Sequence, residues 1–256
     1  MKKFAALHPL LFLALVGLVL VSSQYLWQLL LPGASESVRI LLGKITACLL
    51  AVTLLSALGW WREAGFGTHL NWQSLAPFLP LTLIPLLTAV FQPKAVGVFQ
   101  PVQVLNFALV ALMTGSAEEA IFRGIGVTVL LPHGKIRAVF LSSLVFGVLH
   151  FANLLVRADP LATVVQVTVA VLFGIASAGL FIYTGAILPL MLIHAVEDFI
   201  SFVATRNVRE ISTPTSSEVL MTLVLFFPFA VYGVWLVHHK RPGLGNILTV
   251  DKRGPS

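Results

Sequence analysis

Residues 117–124 read Ala117-Glu118-Glu119-Ala120-Ile121-Phe122-Arg123-Gly124, three charges within six residues in an apolar run over 102–131. A charge at the centre of a membrane helix costs about 2.5–3.5 kcal/mol on insertion scales, so such a cluster marks a functional site by default. Glu119 and Arg123 are four apart with the acid first, the favoured order for a helical ion pair. Glu118 is turned about 100° from Glu119, outside that pairing, and is the acid left for chemistry. Further along, His150 follows Phe146 by four residues and has Asn153 three residues on. His194 shares a helix face with Asp198 and lies near Glu197. A carboxylate one turn from a histidine is a common way to fix its tautomer. Together these groups could supply what hydrolysis needs: a base on water, an acid for the leaving group and donors for an oxyanion. Strung along a conduction path, the same groups would relay protons.

The elements that must position them are membrane helices. Of the 256 residues, 58% are hydrophobic and 10% charged, against about 25% charged in soluble domains; mean hydropathy is +0.96. The expected fold class is all-α, a polytopic bundle of about eight transmembrane helices over 7–31, 40–61, 75–91, 102–131, 138–156, 161–183, 187–204 and 219–238. Pro77, Pro80 and Pro85 break the third. The first is too long for a cleaved signal peptide and reads as a retained span. Lys44, near the start of the second, is expected to snorkel to its interface. Gly174, Ser177 and Gly179 in the sixth suit close helix contact.

Loop charges orient the bundle. Lys2, Lys3, Arg62, Lys135, Arg137, Lys240, Arg241, Lys252 and Arg253 gather on one side; Arg39, Lys94, Arg157, Arg206 and Arg209 gather on the other. Nine against five puts both termini in the cytoplasm. The chain divides into N-terminal helices (1–101), a core carrying the chemistry (102–204), and a last helix with a short disordered tail (205–256). The net charge of +6 is spread over these loops and forms no stripe, which argues against nucleic acid as a partner. The single cysteine, Cys48, allows no intrachain disulfide and no cysteine-based metal site. His8, His69, His133, His238 and His239 fall in loops or at interfaces, and Trp60, Trp61 and Trp72 suit an interfacial belt.

In chain order, Glu118-Glu119-x-x-x-Arg123, Phe146-x-x-x-His150 and His194-x-x-x-Asp198 lie on successive apolar segments. This resembles the CPBP family, the CAAX proteases and bacteriocin-processing enzymes also called the Abi family, marked by EExxxR, FxxxH and HxxxN/D motifs. The surroundings agree: Phe122-Arg123-Gly124, Ser142-Ser143-Leu144-Val145-Phe146-Gly147 and Thr184-Gly185-Ala186-Ile187-Leu188-Pro189. The resemblance covers about 102–202, with Glu63-Ala64-Gly65-Phe66 upstream. It implies a multi-pass protease of a bacterial inner membrane, an intramembrane endopeptidase acting on membrane-associated proteins or peptides, prenylated CAAX-type tails among them. Its partners would be membrane lipid and a membrane protein or peptide substrate. It further implies Glu118 as general base on water, His150 positioning or polarising that water, His194 and Asp198 binding the oxyanion, and Glu119 with Arg123 holding the constellation. Asparagine is common in the family at position 198. An aspartate there repels a developing oxyanion when ionised and donates to it when protonated.

The family has been described both as metalloproteases and as glutamate-type proteases. The favoured reading here requires no cofactor. A zinc ion would take Glu118, His150 and His194, although the H-E-x-x-H spacing is absent. Two alternatives belong to other classes: a non-proteolytic membrane scaffold or bacteriocin-immunity protein, and a proton-coupled transporter. The first is disfavoured because every motif position is filled, the second because the charges concentrate in three motifs and no inverted repeat is evident.

Overall fold

In the computed structural model of the chain, described over residues 1–91, 99–156, 159–206 and 215–239, eight helices are long and apolar enough to cross a membrane. They are α1 (Pro9–Leu30), α2 (Glu36–Leu58), α3 (Trp72–Val90), α4 (Pro101–His133), α5 (Lys135–Leu155), α6 (Pro160–Thr184), α7 (Leu188–Thr205) and α8 (Val219–His238). No strand occurs among the described residues. The chain is an all-α, multi-pass integral membrane protein. Lys94, Arg157, Arg209, Lys240, Arg241, Lys252 and Arg253, with the tail expected to be disordered, lie outside the described residues.

Local chemistry sets most helix ends. Pro9, Pro101 and Pro160 open α1, α4 and α6 in their first turns, where a missing N–H costs nothing. Ser35 accepts from the Val38 N–H at the start of α2, and Asp159 accepts from the Ala162 N–H at the start of α6. Gly59 and Gly185 close α2 and α6 in the left-handed conformation. The expected first span begins two residues late, because the chain breaks at His8 after a short helix, Lys2–Leu7. The prolines of the third span act as expected: Trp72–Leu75 is α-helical, Ala76–Phe78 is 3₁₀, and regular helix resumes at Leu83.

Two departures bear on function. In α4 the α-helix ends at Glu119, and Ala120–Val127 wind as a π-helix. In α5 the α-helix ends at Leu149, and His150–Val156 wind as a 3₁₀-helix. Hydropathy carries no signal of either change. π-helical winding is frequent at functional sites, and a 3₁₀ stretch within a helix often marks a hinge.

Alternating helix directions give the bundle two faces. On the first, Gly65 packs on the Gly185 carbonyl, Gly59 lies by Lys2, and Thr68 donates to the Gly185 carbonyl. Gly124 packs against Ala64, and Thr128 donates to the Glu63 carbonyl, so the upstream Glu63–Phe66 segment sits directly under the motif helix. On the second face, Tyr25 donates to the Ala152 carbonyl at 2.6 Å, and Asn153 donates to Gln166 at 2.7 Å. Gly179 on α6 meets Gly233 on α8 so closely that an added Cβ would lie 2.2 Å from the Gly233 carbonyl oxygen. Gly174 likewise faces Ser143, as expected of small residues in membrane helices.

Candidate active site

The two adjacent acids separate by environment. The Glu119 side chain is 0% exposed and that of Glu118 is 17% exposed. Arg123 Nη1 lies 3.1 Å from Glu119 Oε1, the i, i+4 pair that the spacing implies. The guanidinium also stands 4.3 Å from the Phe146 ring centre and 5.8 Å from that of Phe173. A cation sealed from water is thus met by one carboxylate and two aromatic rings.

His194, one turn and a half into α7, is reached from α4. Its Nδ1 lies 2.8 Å from Glu119 Oε1. A carboxylate only accepts, so Nδ1 carries the hydrogen. Nε2 then points to Glu118 Oε2 at 3.8 Å and Asp198 Oδ2 at 3.9 Å. This corrects the sequence expectation for the tautomer. Asp198 does share the His194 face, but the partner that fixes the ring is Glu119, brought closer by packing of α4 against α7.

His150 Nδ1 is 2.9 Å from the Phe146 carbonyl oxygen. A carbonyl can only accept, so this nitrogen is the donor and Nε2 keeps its lone pair. Phe146 is the hub of the site: its ring centre is 4.9 Å from His150, 6.2 Å from His194 and 5.0 Å from Phe122.

Glu118, His150, His194 and Asp198 line one cavity of about 310 Å³. Lys44 lines it too, its Nζ 3.9 Å from Glu118 Oε1. The expectation that Lys44 snorkels to the interface is therefore wrong. Eight residues into α2, about 12 Å along its axis, it turns inward to the carboxylate. Asn153 lines the same cavity while bonded to Gln166. Glu197 does not: on the side of α7 turned to α3, it accepts from Thr88 Oγ1 at 2.8 Å. Sequence reasoning missed Lys44, Phe173 and Thr88. The expense of a membrane charge could have flagged the first; nothing in the pattern distinguishes the other two.

Among the described residues, no group of histidine, cysteine, aspartate and glutamate is arranged to hold a metal ion. Glu118, His150 and His194 share a cavity but are not gathered as a ligand set.

Residues 100–200 match the family model described as type II CAAX prenyl endopeptidase Rce1-like. No curated protein and no solved structure matches the chain.

Proposed function

From the premise that the chain is of the CPBP, or CAAX protease, family, which the match over residues 100–200 supports, we propose that it is an intramembrane endopeptidase whose water is activated by Glu118. The observation that carries this is the shared cavity: Glu118, His150, His194 and Asp198 line it, while Glu119 and Arg123 are sealed behind.

A water between Glu118 and His150 Nε2 meets two acceptors. Its two hydrogens go to them, and its oxygen lone pair is left for the scissile carbonyl carbon. Glu118 takes the proton as the oxygen–carbon bond forms. The oxyanion forms beside His194, whose ring, when doubly protonated, donates from Nδ1 to Glu119 and from Nε2 to the oxyanion. Asp198, protonated, would be a second donor. Collapse breaks the carbon–nitrogen bond, and Glu118 returns its proton to the leaving amine. Glu119 and Arg123 are positioning residues: one orients His194 and the other holds Glu119. In this reading no step is routed through zinc. Substrates in this reading are membrane-associated proteins or peptides, prenylated tails included, and the setting is a bacterial inner membrane.

The test is cleavage of a panel of lipidated and membrane-associated peptides by the purified protein in detergent, with and without chelator. Wild type should cleave and resist chelation. Glu118→Gln should lose on the order of 10²- to 10⁴-fold. Full activity in Glu118→Gln overturns the base assignment, and chelator loss restored by zinc overturns the metal-free mechanism.

A further inference from the structure

A second cavity, of about 430 Å³, takes no part in the motif constellation. It lies on the second face, between the start of α2 (Glu36), the start of α4 (Gln103 and Asn106) and Arg206, the residue that caps the end of α7. Its lining and that of the motif cavity have only Ile40 in common. Walled by the ends of three spans, it sits at the level where lipid headgroups begin. Its inner wall is apolar: Ile40 and Phe107 are buried, and Val102 at the rim is 74% exposed. An occupant that matches both the polar ends and this wall is an amphiphile.

Charge narrows the class. The lining carries one acid, Glu36, and one cation, Arg206. Each taken alone suits its helix, since an acid opens α2 and a cation closes α7, as helix dipoles favour. The Arg206 backbone does not fit that plain reading. Its φ is +58°, in the left-handed region, and no other non-glycine residue has a positive φ among the described residues. Helices close in this conformation chiefly on glycine, which has no Cβ to clash, as Gly59 and Gly185 do for α2 and α6. An arginine at such a position is there for its side chain. Its guanidinium stands 4.5 Å over the Phe99 ring, a placement that orients the planar fork of N–H donors matched by phosphate oxygens. Gln103 and Asn106, one turn apart on α4, add amide donors.

We infer that this cleft binds a phospholipid whose headgroup joins a phosphate to a primary ammonium, the phosphoethanolamine type. Arg206 takes the phosphate, Glu36 takes the ammonium, Gln103 and Asn106 donate to the remaining ester and phosphate oxygens, and an acyl chain leaves past Val102. Basic pockets between membrane helices are a recurrent form of headgroup site; the acid in this one sets the choice among headgroups. An anionic headgroup without an ammonium sets a second negative charge beside Glu36, and a choline headgroup brings it no N–H. The inference stands apart from the protease reading and is tested without cleavage.

The test follows thermal unfolding of the purified full chain in lipid-free detergent as lipids of matched acyl chains are added to the micelles. Phosphatidylethanolamine should raise the midpoint by about 5 °C near saturation, and phosphatidylglycerol and phosphatidylcholine by clearly less. Arg206→Gly removes the phosphate donor and relaxes the backbone. It should unfold no earlier than wild type without lipid, and should lose the phosphatidylethanolamine shift. Arg206→Asn, which the left-handed conformation also tolerates, should behave alike. Glu36→Gln should bring the ethanolamine and choline lipids level. Soluble phosphoethanolamine, which has no acyl chain, should give no shift; a shift equal to that of the lipid overturns the lipid assignment in favour of a small-ion site. Equal shifts with all three lipids in wild type, or a full phosphatidylethanolamine shift in both Arg206 variants, overturns the inference.

Discussion

Lys44 places a positive charge against the proposed base, 3.9 Å from Glu118, on a helix that contributes no motif residue. An ammonium there holds the carboxylate in place and balances its charge where water is scarce. Lys44→Met should lower kcat on the order of 10- to 100-fold, below what a direct oxyanion donor supplies, with KM little changed, and Lys44→Arg should recover part of the loss. Equal falls in both parameters, or no rescue by arginine, would argue for a merely structural lysine. The buried pair makes a different prediction. Arg123→Met strands a sealed Glu119, so it should destabilise the protein by about 3–5 kcal/mol, read by thermal unfolding in detergent. Adding Glu119→Gln should restore most of that stability without restoring cleavage, since His194 loses the carboxylate that orients it. Most of this site was legible in the sequence. The i, i+4 spacing gave the Glu119–Arg123 pair, and the offset of one residue separated Glu118 from it. The His194 partner was not legible, because spacing reports neighbours on one helix and Glu119 arrives from another.

At the scale of elements, hydropathy located all eight spans to within a few residues, because lipid demands about twenty apolar residues per crossing. It was blind to winding. Nothing in Ala120–Val127 distinguishes a π-helix from an α-helix by composition, and the 3₁₀ stretch that starts at His150 is equally unmarked. The glycines of α6 were readable as contact positions, but their partners were not. Gly179→Val drives a side chain into the Gly233 backbone, where even a Cβ would stand at 2.2 Å. Overpacking of this sort costs about 1–3 kcal/mol and can exceed that, so Gly179→Val should unfold earlier in detergent, whereas Gly33→Val, facing open space, should not.

For the whole molecule, the arrangement is a bundle with its sealed groups at mid-depth and its cavity turned to one face. The Gly179–Gly233 contact has a mechanical side. Backbone against backbone at this point leaves no rotatable side chain between α6 and α8 to absorb a load. The α1 wall is fastened differently: across the mouth, Tyr25 reaches Ala152 through a hydrogen bond, a tie worth about 1 kcal/mol. A chain pressing into the cavity therefore meets its most compliant wall at α1, whose tie across the mouth is a hydrogen bond that can open and close, and the Gly179–Gly233 seam lies away from that load.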